Sequence, residues 1–287
     1  MKNWRTVLLV VGITLLFWFL KFVLHFPSAD IDTVGVILTI ASILFGFLAG
    51  FFISELWTRY TEIRELQGTR FSDTLNLIRY ASYFFDNKIF EKEFKKNVEK
   101  SSIADEVIDW NEGHLEIKYF RDIEKSFRHI KIKQVKDESY LNNLLNSYNR
   151  LIESVVRLDV LYKERLFTSE WFMLTTLSLI VGISLLFLDV AHPFYQIVIL
   201  CFPAIIVLAL STIYDLDVLV WGREILTMEP TQRVFDTLGV KRFYLGESVN
   251  YIPQHVKDYR TVKDLDPELK KVYDDIVKRR ESKKQVF

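Results

Sequence analysis

The chain has 287 residues, of which 50% are hydrophobic and 26% are charged. The two classes are segregated, because no Lys or Arg occurs in residues 23–58 or in residues 167–222. Such segregation is typical of a membrane protein with a separate water-exposed part. The formal net charge of zero hides this asymmetry and says nothing about partners, and no nucleic-acid partner is expected. The single cysteine, Cys201, excludes an intrachain disulfide and a metal site built from cysteines.

Four apolar segments approach the length of roughly 20 residues that a helix needs to cross a bilayer. The predicted spans are residues 7–26, 35–57, 171–188 and 193–214. Basic residues flank the spans on one side only, and the short turns within each pair of spans contain none. The positive-inside rule therefore places both termini and the middle of the chain in the cytoplasm. We expect an integral protein of a cell membrane (inner or plasma), with the lipid bilayer as its first partner.

The remaining regions, residues 58–169 and 215–287, show mostly helical spacing of apolar residues. Helices are predicted at residues 58–85, 140–166, 230–238 and 269–278. Gly239 is expected to end the third of these, and Asp266 to cap the last. Polar residues at 101–105 and 111–113 predict breaks.

The predicted fold class is an all-α, polytopic membrane protein with four transmembrane helices and an extended helical cytoplasmic region. Its parts are residues 1–57 and 170–214 in the membrane, and residues 58–169 and 215–287 in the cytoplasm. Enzymatic signatures are missing, since the sequence has no phosphate-binding loop, dinucleotide fingerprint, nucleophile elbow or zinc-protease motif. The five histidines are scattered without metal-ligand spacing. We therefore predict no enzyme activity, no catalytic residues and no cofactor.

The second span has an aromatic stripe. Ile43, Phe47 and Phe51 recur every four residues, so they share one face of the helix. Ser54 and Thr58 continue that face, each within about 40° of its centre. On a neighbouring face, Gly46 and Gly50 form a small-residue step of the kind that lets membrane helices pack closely. From the residues alone, the stripe indicates either a pore lining or ordinary packing within a four-helix bundle.

Residues 43–60 read ILFGFLAGFFISELWTRY and resemble the second transmembrane helix of the bestrophins, a family of pentameric ion channels. In that family an Ile-Phe-Phe stripe of this spacing lines a narrow hydrophobic neck. An Arg and an aromatic residue follow eight and nine positions later, where this chain has Arg59 and Tyr60. The resemblance implies a homopentameric channel for small inorganic ions, with Ile43, Phe47 and Phe51 forming the neck.

The sequence also departs from the family pattern. It lacks the Pro-Phe-Gly-like step after the fourth span, and the acidic run that forms a calcium clasp in eukaryotic members. This absence argues against calcium gating and leaves only Asp215 and Asp217 as weak candidate metal ligands. Glu55 replaces a usually apolar residue. At about 80° from the stripe, it is expected at a subunit boundary, paired with Arg59.

The resemblance leaves the sign of the ion open. The family includes chloride channels and cation-passing bacterial relatives, and none of the three neck residues is charged. A ring of Glu55 carboxylates would favour cations if it reached the pore. A second hypothesis is a non-conducting, membrane-anchored scaffold or sensor, because most polar residues lie outside the spans and the resemblance is strongest in one helix.

Overall fold

The computed structural model describes residues 3–23, 31–107, 115–188, 193–219, 228–245, 252, 256 and 258–285. These residues are mostly helical. The helices are α1 (Asn3–Phe22), α2 (Ile31–Ser82), α3 (Lys88–Val107), α4 (Leu115–Ser126), α5 (Val135–Lys163), α6 (Thr168–Phe187), α7 (Pro193–Asp217), α8 (Met228–Leu238) and α9 (Pro267–Gln285). Two-residue strands, β1 (Arg242–Phe243) and β2 (Tyr259–Arg260), pair in parallel and are an addition to the all-α prediction.

The chain divides into two compact units. The first, here the apolar unit, comprises residues 1–61 and 165–221, and the second, here the polar unit, comprises residues 62–164 and 222–287. The division falls inside α2, whose 52 residues contain no Pro to interrupt the helix. The predicted span at residues 35–57 and the helix predicted from residue 58 are therefore parts of one helix, which ends at Ser82.

The apolar unit consists of α1, the first part of α2, α6 and α7, packed around one hydrophobic cluster. Its most buried members include Phe52, Leu174 and Ile213. Lys21, near the end of α1, donates through Nζ to the carbonyl oxygens of Leu185 (2.9 Å) and Leu188 (2.7 Å). These carbonyls end α6, where a cation is favoured by the helix dipole. The ammonium thus caps a helix.

Two of the described helices, α2 and α6, are long and apolar enough to cross a membrane. In each, only 22% of the residues in the apolar window are buried, unlike the core helix of a soluble protein. The structure also forms helices over the first and fourth predicted spans, as α1 and α7. Many side chains of these two helices lie outside the described residues.

The polar unit combines the rest of α2 with α3, α4, α5, α8 and α9. One cluster of buried residues includes Phe90, Phe94 and Leu151, and another includes Phe235 and Phe243. Helix α5 begins at Val135 rather than Tyr140, because the residues ahead of the apolar pattern form its capping box.

Two predicted helix ends of the polar unit are confirmed. Gly239 follows α8 with φ of 71°, the left-handed conformation that commonly ends a helix. Asp266 accepts a hydrogen bond from the backbone N–H of Leu269 at 2.9 Å, so it caps α9.

The predicted break at residues 101–105 is wrong, since these residues are helical in α3. The hydroxyls of Ser101 and Ser102 donate back to the carbonyl oxygen of Val98, at 2.8 and 2.9 Å. Polar side chains that would compete with the helix are thus satisfied inside it. The predicted break at 111–113 lies outside the described residues.

A buried ionic cluster joins α2 to α3 in the polar unit. Arg70 is only 2% exposed, and its guanidinium donates to both carboxylate oxygens of Asp105, at 2.5 and 2.6 Å. The adjacent Glu106 has a buried Oε1 with no hydrogen-bond partner among the described residues. Burial, together with the negative charge of Asp105, raises the pKa of Glu106 to about 8, against opposing effects of Thr231 and Arg70.

This cluster predicts that the protein loses stability as pH rises. Between about pH 4.5 and about pH 8 the folded chain holds a proton on Glu106 that the unfolded chain has released, so unfolding becomes easier with rising pH. We expect Glu106→Gln to weaken this dependence, measured by thermal unfolding of the detergent-solubilised protein across that range. Glu138→Gln, at an exposed carboxylate on α5, is the control and should leave it unchanged. An unaltered pH profile in Glu106→Gln would contradict the assignment.

Candidate functional site

Helix α2 presents two opposite faces within the apolar unit. Phe45 and Ala49 are 7% and 5% exposed and belong to the hydrophobic cluster. The predicted neck residues Ile43, Phe47 and Phe51 are 66%, 74% and 56% exposed. At 100° per residue, the buried pair points about 160° away from Phe47. The stripe identified from sequence spacing is therefore the face of α2 that the described residues of its own chain leave uncovered.

The polar continuation of the stripe is exposed as well. Ser54 and Thr58 follow Phe51 on the same side of α2, and neither is covered by another helix of the chain. The Thr58 hydroxyl donates to the carbonyl oxygen of Ser54 at 2.9 Å. The hydroxyl proton of Thr58 is thus used within the helix.

The small-residue step formed by Gly46 and Gly50 has no neighbour among the described residues of the chain. A Cβ atom built on Gly46 or Gly50 would meet nothing within 4 Å. In a single chain these glycines therefore do not serve close helix contact. The space beside them is open to lipid or to another copy of the chain.

Arg59, eight residues after Phe51, turns towards α7. It is 7% exposed, and its Nη2 donates to the carbonyl oxygens of Leu216 (3.2 Å) and Asp217 (2.7 Å). Its Nη1 lies 3.8 Å from the Asp217 carboxylate. That carboxylate also accepts a hydrogen bond from the backbone N–H of Leu166, at 2.9 Å. One buried ion pair thus links α2, the end of α7 and the segment leading into α6.

These contacts bear on two other predicted residues. Glu55 is exposed on α2, and its predicted pairing with Arg59 stays a prediction beside the contacts that Arg59 makes with α7. Asp217, a weak candidate metal ligand, is engaged by Arg59 and Leu166, while Asp215 is half-buried. In the described ranges, no group of three or more His, Cys, Asp or Glu side chains is arranged to hold a metal ion.

Sequence reasoning missed the role of Asp217 in this junction. The sequence shows an Asp at the end of the fourth apolar span and an Arg just after the second span. Neither residue by itself indicates that the other is its partner. Only the packing of α2 against α7 brings the two charges together, across 158 positions of sequence.

The geometry defines a class of protein. A helical chain with apolar helices of membrane-spanning length, and an exposed stripe of apolar and aromatic side chains on one of them, fits a membrane protein.

Comparison with protein families then identifies the group. A family model described as Bestrophin-like domain matches residues 7–218, which is most of the chain. The protein therefore belongs to the Bestrophin-like family, which is in general a family of membrane ion channels and not of enzymes. Comparison with curated proteins and with solved structures gave no match.

We predict that the Arg59–Asp217 pair holds the apolar unit together. Arg59→Gln leaves the Asp217 carboxylate buried without its cation, and breaking such a pair costs about 3 kcal/mol or more. The thermal unfolding temperature in detergent should fall clearly. Arg64→Gln, at an exposed Arg on the same helix, should leave it within error of the wild type. Adding Asp217→Asn to Arg59→Gln should recover part of the loss, and equal unfolding temperatures for Arg59→Gln and Arg64→Gln would refute the role.

Proposed function

We propose that the protein is a homo-oligomeric ion channel, pentameric by its resemblance to bestrophins, with α2 of each subunit lining the pore. Ile43, Phe47 and Phe51 form rings around the axis and make a hydrophobic neck. The observation that carries this proposal is the exposure of all three side chains, on the face of α2 opposite its packed face. A stripe that packed inside a four-helix bundle of one chain would be buried instead.

The proposed neck controls ion flow by whether water fills it. An ion in a narrow ring of Ile and Phe side chains loses part of its hydration, and no polar group replaces the lost water. The neck therefore blocks ions while it is narrow and conducts once it widens enough to stay wet. Ser54 and Thr58 continue the lining with hydroxyl groups, where an ion recovers polar contacts.

We propose small monovalent anions such as chloride as the permeant ions. None of the three neck residues carries a charge, and the edges of phenyl rings carry partial positive charge, which favours anions. Glu55 lies about 80° from the stripe and is placed at the subunit boundary rather than on the axis. The channel requires no resident cofactor and no calcium clasp in this proposal.

The proposed topology has four transmembrane helices, α1, the first part of α2, α6 and α7, in a cell membrane. Both termini and the polar unit lie in the cytoplasm. This placement is supported by the confinement of Lys and Arg to regions outside residues 23–58 and 167–222.

Widening the proposed neck should increase conduction. We expect Phe47→Ala to raise the ion flux of reconstituted vesicles about tenfold or more, the ratio given by a barrier lowered by about 1.4 kcal/mol. Phe172→Ala is a matched control, because Phe172 on α6 is 70% exposed against 74% for Phe47. It should leave the flux unchanged.

Two results would overturn the neck assignment. One is an unchanged flux in both Phe47→Ala and Phe51→Ala, and the other is an equal increase in Phe172→Ala.

The same preparations in a potassium chloride gradient test which ion permeates. A reversal potential close to the chloride equilibrium potential supports an anion channel, and one close to the potassium equilibrium potential contradicts it. Absence of any flux from wild-type and variant vesicles would favour the non-conducting scaffold.

The glycine edge should matter for assembly alone. A side chain at Gly46 meets nothing within its own chain, and replacing a helical Gly favours the helix itself. Gly46→Leu should therefore keep the fold but reduce the oligomer, as measured by the mass of the detergent-solubilised particle. Gly12→Leu, on α1 and equally free of neighbours, is the control. An intact oligomer in Gly46→Leu would remove this edge from the subunit contact.

A further inference from the structure

A cavity of about 720 Å³ opens on the polar unit, between the turn after α2 and the segment that leads into α5. This volume lies within the range of roughly 300–1,000 Å³ that is usual for small-molecule sites. Apolar side chains are present at its wall, and two of them, Tyr83 and Ile89, are 50% and 61% exposed. The cavity thus offers apolar surface to a ligand as well as polar groups.

The cavity is positively charged. Four Lys or Arg side chains line it against two Asp side chains, and His129, also at the wall, has its Nε2 3.1 Å from the carboxylate of Glu93. Two of the four basic side chains have an acidic partner, since Lys88 pairs with Glu91 at 2.9 Å and Lys133 lies 3.8 Å from Asp86. Within the described ranges, Arg128 and Lys131 form no ion pair and are exposed.

The acidic residues at the wall balance only half of the four basic side chains. The carboxylate of Asp137 accepts hydrogen bonds from the backbone N–H groups of Lys133 (2.7 Å) and Gln134 (3.0 Å), so it caps α5. Asp86 lies 3.8 Å from Lys133, so its charge is balanced by one of the basic side chains at the wall. A positive field therefore remains around Arg128 and Lys131.

The walls are held in place by specific contacts. Tyr83 stacks on Tyr140 of α5, with ring centroids 3.9 Å apart and an angle of 15° between the planes. The side-chain amide of Asn87 donates to the carbonyl oxygen of His129 at 2.5 Å, and its oxygen accepts from the backbone N–H of Ile89 at 3.1 Å. These contacts tie the turn after α2 to the segment before α5. A ligand therefore meets a site that is already formed.

We propose that this cavity binds a phosphate-bearing small molecule with several negative charges, through Arg128 and Lys131. The guanidinium of Arg128 supplies paired donors that match phosphate oxygens, and Lys131 adds a compact charge. Tyr83 and Ile89 contact the apolar part of the ligand. The concave shape and fixed walls favour a small molecule over an acidic protein segment, because a protein segment would need a flatter and more extended basic surface.

Binding is tested on the full chain in detergent by calorimetric titration with inorganic tripolyphosphate. We expect saturable binding that weakens as salt is added, and an affinity at least tenfold lower in the double variant Arg128→Gln/Lys131→Gln. Both side chains are exposed, so this variant should keep the unfolding temperature of the wild type. Lys136→Gln is the control, because Lys136 is an exposed Lys on α5 that does not line the cavity.

A second titration, with a short-chain soluble phosphatidic acid, identifies the source of the phosphate. If phosphatidic acid binds more tightly than tripolyphosphate, the site is assigned to a lipid headgroup, and if it binds more weakly, to a free phosphate compound. Either result supports the proposal when the double variant no longer binds the probe. No binding of either probe by the wild type overturns it, as does equal binding by the double variant. A polyglutamate peptide that binds more tightly than both probes would also overturn it.

Discussion

The arrangement of the apolar unit depends on the burial of one face of α2. Phe45, Ala49 and Phe52 are packed against the other helices, and each large side chain buried in this way stabilises the structure by about 2 kcal/mol. This packing fixes the rotation of α2 about its own axis. Because Phe45 and Ala49 point inward, Phe47 must point outward. An uncovered stripe of this size would be a liability in water, whereas in a membrane it is covered by lipid or by another copy.

The ion pair between Arg59 and Asp217 adds a second constraint at the end of the same packed face. Hydrophobic contacts alone allow a helix to slide by a turn with little change in buried area. A buried guanidinium held by two backbone carbonyls and a carboxylate does not allow this, because a displaced charge would be left without partners. Lys21 acts in a related way at the far end of α6, where it satisfies carbonyls that the helix leaves unpaired.

The polar unit uses its basic residues in two different ways. Arg70 is buried, and its guanidinium donates to both carboxylate oxygens of Asp105, so its charge is used in linking α2 to α3. Arg128 and Lys131 are exposed beside a cavity whose walls are fixed by other contacts. A cation of the first kind stabilises the fold, whereas cations of the second kind remain available to a ligand. The distinction depends on burial and on partners, which residue type does not reveal.

The sequence by itself determined the membrane character, most helices and the aromatic stripe, because these properties depend on neighbours within a few positions. Gly239 and Asp266 were readable as helix ends for the same reason. The break predicted at residues 101–105 failed, since the serine hydroxyls bond within α3. Only the tertiary structure decided which face of α2 is uncovered and which partners its arginines take. Spacing along one helix gives the relative directions of its residues, but the distant element that covers one face or neutralises a charge is chosen by packing.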